Sequence, residues 1–304
     1  MSPEKVRVTV ADRELTLSNL DKVLYPEVGF TKAQMLDYYT RIAPVLLPHL
    51  QGRPLTFKRY PDGVAGKSFF EKNKPSHAPE WVRHQPLPTP GSTKERTTTD
   101  FTICDDLPTL IWAANLAVLE FHVPMWRISD AGKPQPPDLL VFDLDPGPPA
   151  TIVECCAVAL LVRDVLDADG LKAYPKTSGS KGLQLYVPLA PERPWEDVHA
   201  YARAVAVRLE RERPELVVEN MKKALRTGKV LVDWSQNNAA KTTVAAYSLR
   251  ARAEPTVSTP VTWAEVESCR SPLDLRFHYD ATLARVAEHG DLLVPLTEGG
   301  QQLP

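Results

Sequence analysis

The chain has 304 residues, 43% of them hydrophobic, which is enough to bury a sizeable core in one large domain or two modest ones. It has no N-terminal signal pattern and no apolar run approaching the ~20 residues that span a bilayer, so we expect no membrane segment and a cytoplasmic location. The formal charge of -2 argues against nonspecific coating of nucleic acid but allows a local basic groove. The cysteines lack zinc-binding spacing and are predicted to be reduced structural thiols: Cys104, Cys155, Cys156 and Cys269.

The first predicted helix covers residues 31–50, where apolar side chains recur at helical spacing. Thr31 and Gln34 have the spacing of a capping box, which predicts that the helix begins near Thr31. Free backbone N–H groups at a helix N-terminus bind phosphate, and Lys32 adds a cation in this first turn. Lys22 can converge on the same point. The alternative is a pair of solvated surface lysines.

Residues 51–75 mix basic and aromatic side chains, a composition that suits nucleic acid because cations meet phosphates while rings stack on bases. The alternative is an ordinary strand pair with one aromatic face inside. The side chains concerned are Arg53, Lys58, Arg59, Lys67, Lys72 and Lys74 with Phe57, Tyr60, Phe69 and Phe70.

Two further segments precede the centre of the chain. Residues 85–99 are rich in proline, threonine and serine and are predicted to form an exposed loop. Residues 109–126 are mostly apolar and are predicted to be helical, with His122 near their end beside a turn proline. The pattern favours a structural role for this histidine.

The stretch VFDLDPGP at 141–148 places two aspartates at the end of an apolar strand. Side chains alternate along a strand, so Asp143 and Asp145 share a face and lie ~7 Å apart. Like charges this close repel unless a cation or a proton intervenes. Pro146 and Gly147 end the strand and place both carboxylates at its exposed edge. Such a pair suits a bound divalent cation, or the nucleophile of a haloacid-dehalogenase-like phosphatase.

Residues 151–170 are predicted to form a helix that a capping box opens and a glycine closes. Residues 171–189 then form a strand, a Gly/Ser loop and a second strand. The loop TSGSKG at 177–182 offers the Ser178 hydroxyl, backbone N–H groups and the Lys181 cation, which are the parts of a phosphate cradle. A plain hairpin turn is the alternative.

A third apolar strand ends in an acid, Asp233, which can complete a two-metal site. Gln236 follows, and Lys241 or Arg250 can neutralise a triphosphate. A basic loop precedes this strand and is interpreted either as a clasp for template or as a solvated turn. Its cations are Lys222, Lys223, Arg226 and Lys229.

The phosphatase interpretation fits poorly with its own motif, DxDG followed by Thr or Val. Here Pro146 interrupts the motif and Pro148 follows Gly147. The motif also lies at midchain rather than near the start of the fold. The phosphatase therefore stays only as an alternative.

The segments VFDLDPG, TSGSKGL, VLVDWSQN and YSLR, in this order, closely resemble the polymerase domain of bacterial ligase D, in the archaeo-eukaryotic primase superfamily. The resemblance extends to DKVLYP, RPLTFKRYPDG, FFEK and EFHVPMW, over roughly residues 15–295. It implies an α/β fold, with mixed sheets and flanking helices around a central cleft. It further implies a single domain over 1–304, with a DNA- and 5′-phosphate-binding part at 1–120 and a catalytic part at 121–300.

The resemblance also implies roles for individual residues. The catalytic, metal-binding carboxylates would be Asp143, Asp145 and Asp233. The residues around the nucleotide would be Ser178, Lys181, His122, Arg250, Lys58 and Gln236. Phe69 and Phe70 would pack against the templating base or the incoming nucleotide, and Lys22 and Lys32 would hold a 5′-phosphate.

The implied activity is template-dependent nucleotidyl transfer to a primer 3′-hydroxyl, with Mn²⁺ or Mg²⁺ as cofactor and NTP or dNTP as substrate, ribonucleotides being preferred. The DNA partner would be a gapped or broken duplex that carries a 5′-phosphate. The reaction would belong to non-homologous end joining or base excision repair and would take place at the nucleoid. The sequence contains no KxDG motif for a ligase lysine. We therefore expect a stand-alone enzyme similar to the primase-polymerase C group, which works beside a separate ATP-dependent ligase. The alternatives are the phosphatase and a noncatalytic DNA-end-binding module.

One residue departs from the family pattern. The family loop commonly continues SGSKGLH, and here the histidine is replaced by Gln184. An amide donates and accepts hydrogen bonds but does not become cationic. Any role that requires a protonated imidazole at this position is therefore in doubt.

Overall fold

The structure is a computed structural model that describes residues 5–89 and 97–304. The elements of the first part, in chain order, are β1 Lys5–Val10, β2 Arg13–Ser18, β3 Val23–Tyr25, β4 Phe30–Thr31, α1 Lys32–Leu50, β5 Thr56–Arg59, β6 Phe69–Glu71, β7 His84–Pro88, β8 Thr98–Thr102, α2 Leu107–Asn115 and β9 Val118–Val123. The elements that follow are β10 Trp126–Ile128, β11 Pro134–Pro137, β12 Leu139–Pro146, α3 Ile152–Ala168, β13 Tyr174–Thr177, β14 Leu183–Pro188, α4 Trp195–Glu212, β15 Val217–Val218, β16 Val230–Asp233, β17 Thr243–Val244, α5 Trp263–Ser268, α6 Tyr279–His289 and α7 Pro295–Glu298. Short 3-10 turns lie at Lys223–Leu225 and Trp234–Gln236.

The helix α1 begins where the sequence predicts. The Thr31 side chain accepts a hydrogen bond from the Gln34 N–H, and the Gln34 side chain accepts one from the Thr31 N–H at 2.8 Å. Its buried face carries Tyr38 and Tyr39, whose hydroxyls donate to distant backbone carbonyls at 2.7 Å. The helix is thereby tied to the chain segments that carry the site.

The central sheet has the strand order β13-β14-β12-β16-β15, with β12 antiparallel to both of its neighbours. Strand alternation sends Leu140, Phe142 and Leu144 into the core under α3 and α4. Asp143 and Asp145 point to the opposite face, as predicted. Asp143 is half-buried and Asp145 is exposed at the end of the strand.

The second sheet, with the order β17-β9-β5-β6, includes a strand that the sequence interpretation missed. The helix predicted over 109–126 is wrong in its second half: α2 ends at Asn115, and Val118–Val123 form β9. Ala117 adopts a left-handed backbone conformation, with φ of 61°, which no α-helix accommodates. The β-branched and aromatic residues that follow favour a strand.

The loop predicted at 85–99 is also partly wrong, because β7 and β8 pair antiparallel across it. The register runs from His84 opposite Thr102 to Pro88 opposite Thr98. The threonines that suggested a loop favour strands because they are β-branched. The middle of this segment, residues 90–96, lies outside the described residues.

Two large cores support the two sheets. One contains the buried faces of α1 and α2, and the other fills the space between the central sheet, α3 and α4. A buried ion pair connects them: Arg53, after α1, donates twice to Asp138 at the start of β12, both at 2.7 Å. The four cysteines are buried and unpaired. Within residues 5–89 and 97–304, no helix is long and apolar enough to cross a membrane.

Candidate active site

The three predicted carboxylates lie on two adjacent strands of the central sheet, β12 and β16. Asp143 and Asp233 are directly opposite each other across β12 and β16. Burial, followed by the charges of Asp145 and Asp233, raises the pKa of Asp143 to about 7. Burial and the Asp233 charge also raise the pKa of Asp145. The charges of the neighbouring acids therefore oppose ionisation of Asp143 and Asp145.

Asp233 is held in place by its own turn. Its Oδ1 accepts hydrogen bonds from the Ser235 N–H at 3.0 Å and the Ser235 hydroxyl at 2.6 Å, and its Oδ2 accepts one from Gln236 at 3.0 Å. Gln236, predicted to lie near the nucleotide, thus contacts the acid itself. The buried Asn237 side chain pairs with both backbone groups of Val141 and fixes this turn against β12.

The Gly/Ser loop is docked against Arg250. The Ser178 hydroxyl accepts hydrogen bonds from the N–H groups of Ser180, at 3.3 Å, and Gly182, at 3.1 Å. The Gly182 N–H is therefore occupied, whereas the sequence interpretation expected it to be free for phosphate. Gly179 has φ of 65°, and a Cβ there would lie 2.6 Å from Arg250 Cγ. The Arg250 guanidinium donates to the Ser178 carbonyl, so the loop and the arginine form one unit.

A buried carboxylate, Glu120 on β9, organises the predicted nucleotide-binding cations. It is 1% exposed and receives a hydrogen bond from the His122 ring at 2.9 Å. Lys58 Nζ and Arg250 Nε lie 3.8 and 3.4 Å from its Oε1. The Ala251 N–H also donates to it at 3.0 Å. We call Lys58, Glu120, His122 and Arg250 the cation cluster.

Charge in the cation cluster is set by burial and by pairing. Burial opposes ionisation of Glu120, but the His122 hydrogen bond and the charges of Arg250 and Lys58 hold the pKa of Glu120 well below its usual value. Burial lowers the pKa of His122, against the effect of Glu120. The sequence interpretation missed Glu120 because it assigned the segment EFH to a helix. In a strand, Glu120 and His122 share a face, and this spacing is the signal that could have identified the pair.

The two predicted aromatic residues lie on the surface, Phe70 beside the cation cluster and Phe69 against the Arg59 guanidinium. Phe69 and Phe70 are 44% and 56% exposed, so the alternative of a strand pair with its aromatic face buried does not describe them. The Lys58 ammonium lies 5.4 Å from the Phe70 ring centroid, and the His122 ring meets Phe70 edge-on at 5.7 Å. Exposed rings beside cations are positioned to stack on bases.

Acidic and basic side chains line the same cavity of about 460 Å³. Its lining includes Asp143 and Asp145 together with His122, Lys181 and Arg250. Arg226, from the basic loop, also reaches the cavity, whereas Lys58, Gln236 and Asp233 do not line it. A Cβ on Gly147 would lie 1.9 Å from the Arg226 carbonyl, so only glycine lets this loop approach the acids.

The predicted 5′-phosphate site differs from its sequence interpretation. Lys22 and Lys32 do lie together, but the backbone N–H groups of Lys32 and Ala33 already donate to the carbonyls of Lys22 and Leu20, each at 2.9 Å. The N-terminus of α1 is therefore closed to an anion. The Lys32 side chain is buried and donates to the Ser18 carbonyl at 2.6 Å, and Lys22 pairs with Asp62 at 2.9 Å.

The fold and the site define a class. A pair of carboxylates at the end of a central strand, in a cavity that lysine and arginine side chains also line, is typical of a metal-dependent nucleotidyltransferase.

Comparison with known proteins narrows this class to a family. Residues 31–293 match the family model described as "LigD, primase-polymerase domain". The chain is 48% identical, over 92% of its length, to the multifunctional non-homologous end joining protein LigD of Mycolicibacterium smegmatis, and 34% identical, over 91%, to the bifunctional LigD of Bacillus subtilis. A solved structure, the polymerase domain of Mycobacterium tuberculosis ligase D in complex with DNA, matches with a TM-score of 0.87 and 44% identity, over 94% of this chain and 99% of that one.

The chain belongs to the LigD primase-polymerase family. It is accordingly a primase-polymerase, an enzyme of the nucleotidyltransferase class, with the mixed α/β fold of that domain, which confirms the predicted class and fold. It spans only 36% and 43% of the lengths of the M. smegmatis and B. subtilis relatives. The roles of individual residues and the division at residue 120, which falls inside β9, stay predictions.

Proposed function

We propose that this enzyme adds nucleotides to a primer 3′-hydroxyl opposite a DNA template, at short gaps or breaks that carry a 5′-phosphate. The observation that carries the proposal is the cavity lined by Asp143 and Asp145 together with Lys181 and Arg250. The carboxylates suit divalent cations, and the basic side chains suit the negative charge of a triphosphate.

Family membership implies dependence on divalent metal, and the residues fit such ions. Their carboxylates would supply oxygen donors, which hard cations such as Mg²⁺ and Mn²⁺ prefer. In the described residues no three acidic, histidine or cysteine side chains already converge closely enough to hold an ion. Asp143 and Asp145, which line the cavity, would hold the metal, and Asp233 would move toward them when the metal binds. Bound ions would supply activation of the 3′-hydroxyl and neutralisation of the leaving pyrophosphate.

The protein's own groups then have distinct tasks. Lys181 and Arg250 would bind phosphate oxygens. Glu120 keeps the cation cluster assembled before the nucleotide binds, because a buried anion compensates the repulsion between its cations. Phe70 would support a base by stacking, and its contact with Lys58 keeps the lysine at the rim of the site.

The DNA substrate is proposed from the relatives together with the two lysines on the N-terminal part. The solved relative is a complex with DNA, and the curated relatives are named for non-homologous end joining. We propose that Lys22 and Lys32 contact a 5′-phosphate through their side chains alone, since the α1 N–H groups are occupied. The resemblance of the sequence motifs is the basis for three further parts of the proposal: ribonucleotide preference, gap filling in base excision repair and cooperation with a separate ligase.

Primer extension on a short gap with a 5′-phosphate tests the function. Asp143→Asn combined with Asp145→Asn should lower extension by about 100-fold or more, because the cation-binding charge is lost. DNA binding measured by fluorescence anisotropy should be retained. Ribonucleotides and deoxyribonucleotides, each with Mn²⁺ and with Mg²⁺, would establish substrate and ion preference.

Asp37→Asn, at an exposed acid on α1, is the matched control and should extend like the unmodified enzyme. Extension that survives in the double variant would remove these acids from the chemistry. DNA binding with no extension by the unmodified enzyme under any of the four conditions would instead support a noncatalytic end-binding module.

A further inference from the structure

Behind the acids lies a fully buried lysine that the proposed mechanism does not use. Lys176 on β13 is 1% exposed. Its Nζ donates to Gln184 Oε1 at 2.6 Å, Ser258 Oγ at 2.6 Å and the Val244 carbonyl at 3.0 Å. The Ser258 hydroxyl gives its own proton to the Thr177 carbonyl at 2.8 Å, so it accepts from the lysine. Three acceptors match the three protons of an ammonium group.

This ammonium, with a longer hydrogen bond from the Tyr186 hydroxyl at 3.4 Å, orients the Gln184 amide. Gln184 Oε1 faces Lys176, while Gln184 Nε2 donates to Asp143 Oδ1 at 3.0 Å. Rotating the amide by 180° would place N–H groups against the ammonium and a carbonyl oxygen against the carboxylate. Both contacts would be repulsive, so the two charged neighbours allow a single orientation.

The hydrogen bond from Gln184 makes the two carboxylate oxygens of Asp143 inequivalent. Oδ1 receives the amide, and Oδ2 receives no hydrogen bond from the part of the chain that the structure describes. Asp143 and Gln184 both line the cavity. A carboxylate held by one oxygen presents the other to a cation with less loss of side-chain freedom on binding.

We propose that Lys176 is a positioning residue for cation binding, which acts through Gln184 to orient the Asp143 carboxylate. The proposal rests on the proposed function in one respect, the assignment of Asp143 as a metal-binding residue. It also accounts for the glutamine at this position: the amide links the buried ammonium to the acid without carrying a charge of its own.

A purely structural role is the competing explanation. The Lys176 ammonium lies 5.3 Å from the Tyr186 ring centroid, and it connects β13 to β17 and to the loop that carries Ser258. A structural lysine would affect stability whether or not Gln184 is present. A positioning lysine would lose its effect on metal affinity when Gln184 is removed.

The test is a double-mutant cycle on Mn²⁺ affinity, measured by electron paramagnetic resonance without DNA or nucleotide. Lys176→Met and Gln184→Leu should each weaken Mn²⁺ binding by about 10- to 100-fold, the range for partners behind a metal ligand. The double variant should bind Mn²⁺ no more weakly than Gln184→Leu alone. Additive losses would overturn the proposal, and so would unchanged affinity in Lys176→Met.

The Mn²⁺ affinity of Gln184→His should stay within a few-fold of that of the unmodified enzyme, because a neutral imidazole also accepts at one nitrogen and donates at the other.

Nuclear magnetic resonance gives a readout that requires neither metal nor activity. The Gln184 side-chain amide signal, assigned by its loss in Gln184→Leu, should be protected from solvent exchange and should lose that protection in Lys176→Met. Should Lys176→Met not fold, the Lys176 ammonium signal is followed instead; it should exchange slowly and shift in Gln184→Leu. An amide or ammonium signal insensitive to its partner would overturn the proposal. Failure of extension in the unmodified enzyme would count against the proposed function, while the resonances would still decide the role of Lys176.

Discussion

Buried lysines in this protein have altered pKa values, which depend on the acceptors and charges around each ammonium group. Burial and the Arg250 charge lower the pKa of Lys176, while Asp143 and the three acceptors around its Nζ favour the ammonium form. Lys32 has one backbone acceptor, and burial together with the Lys22 charge lowers its pKa to about 8. Its charge in the absence of DNA therefore changes within an accessible pH range, which makes its proposed role testable.

Binding to DNA with a 5′-phosphate should become pH-dependent through Lys32. A pKa of about 8 means that the ammonium loses its proton as pH rises through 8, so the attraction for phosphate weakens from pH 7 to pH 9. The ratio of affinities for 5′-phosphate and 5′-hydroxyl ends should fall over this interval. In Lys32→Gln the ratio should be about tenfold lower at pH 7 and flat with pH, since hydrogen bonds to charged groups contribute about 1.5–3 kcal/mol. Fluorescence anisotropy on duplexes that differ only in the 5′-phosphate measures both affinities of the ratio.

The control for this experiment is Lys172→Gln, at an exposed lysine that follows α3. Its ratio should match that of the unmodified protein at every pH. An unchanged phosphate preference in Lys32→Gln would remove Lys32 from the end-binding site and leave Lys22 to be examined by the same assay.

At the scale of elements, β9 matters because it places Glu120 and His122 on one face beside Lys58 of β5, which is directly opposite Glu120 in the sheet. A helix over the same residues would have separated these side chains by about 200° around its axis. The strand therefore creates the cation cluster, and one buried anion keeps it together.

Glu120→Gln should reduce stability in a pH-dependent way. The pKa of Glu120 is lowered in the folded protein relative to its usual value of 4.5, so its contribution to stability is fully present above that value. The contribution is lost as pH falls toward the folded-state pKa. The difference in free energy of unfolding between the unmodified protein and Glu120→Gln should be constant at pH 6–7 and shrink below pH 4.5. Urea unfolding at several pH values measures it, and a difference that persists unchanged to pH 3 would contradict the charged pairing.

At the scale of the whole molecule, the position of the acids depends on how the two cores are joined. Arg53 is 1% exposed and meets Asp138 with two hydrogen bonds, and Arg127 donates to the same carboxylate at 2.9 Å. Asp138 immediately precedes β12, so this ion pair anchors the strand that carries Asp143 and Asp145. Its location couples global stability to the site.

Asp138→Asn should destabilise the protein by about 3–5 kcal/mol, because it leaves the buried guanidinium of Arg53 without its counter-charge. Chemical denaturation measures the loss. Asp37→Asn is the comparison, since the Asp37–Arg41 pair is exposed at 3.5 Å and its removal should change stability little. Equal effects of the two substitutions would show that the buried pair does not anchor β12.

The amino-acid sequence alone was sufficient for the features whose causes are local. The capping boxes of α1 and α3, the glycine that follows α3 and the alternation in VFDLD are all set within a few residues, and all are present in the structure. Motif order identified the family because the motifs are linear. The assignment of residues 116–126 failed because apolar residues suit helix and strand alike until the left-handed Ala117 and the pairing partners of β9 decide between them.

What only the tertiary structure decided are contacts between residues far apart in the chain. Glu120 meets Ala251 at a separation of 131 residues, and Lys176 meets Ser258 at a separation of 82. The closure of the α1 N-terminus by the Leu20 and Lys22 carbonyls is likewise a matter of packing. The physical reason is that the charge state and the available hydrogen bonds of a buried group depend on which distant atoms replace its water, and no local period in the sequence encodes those neighbours.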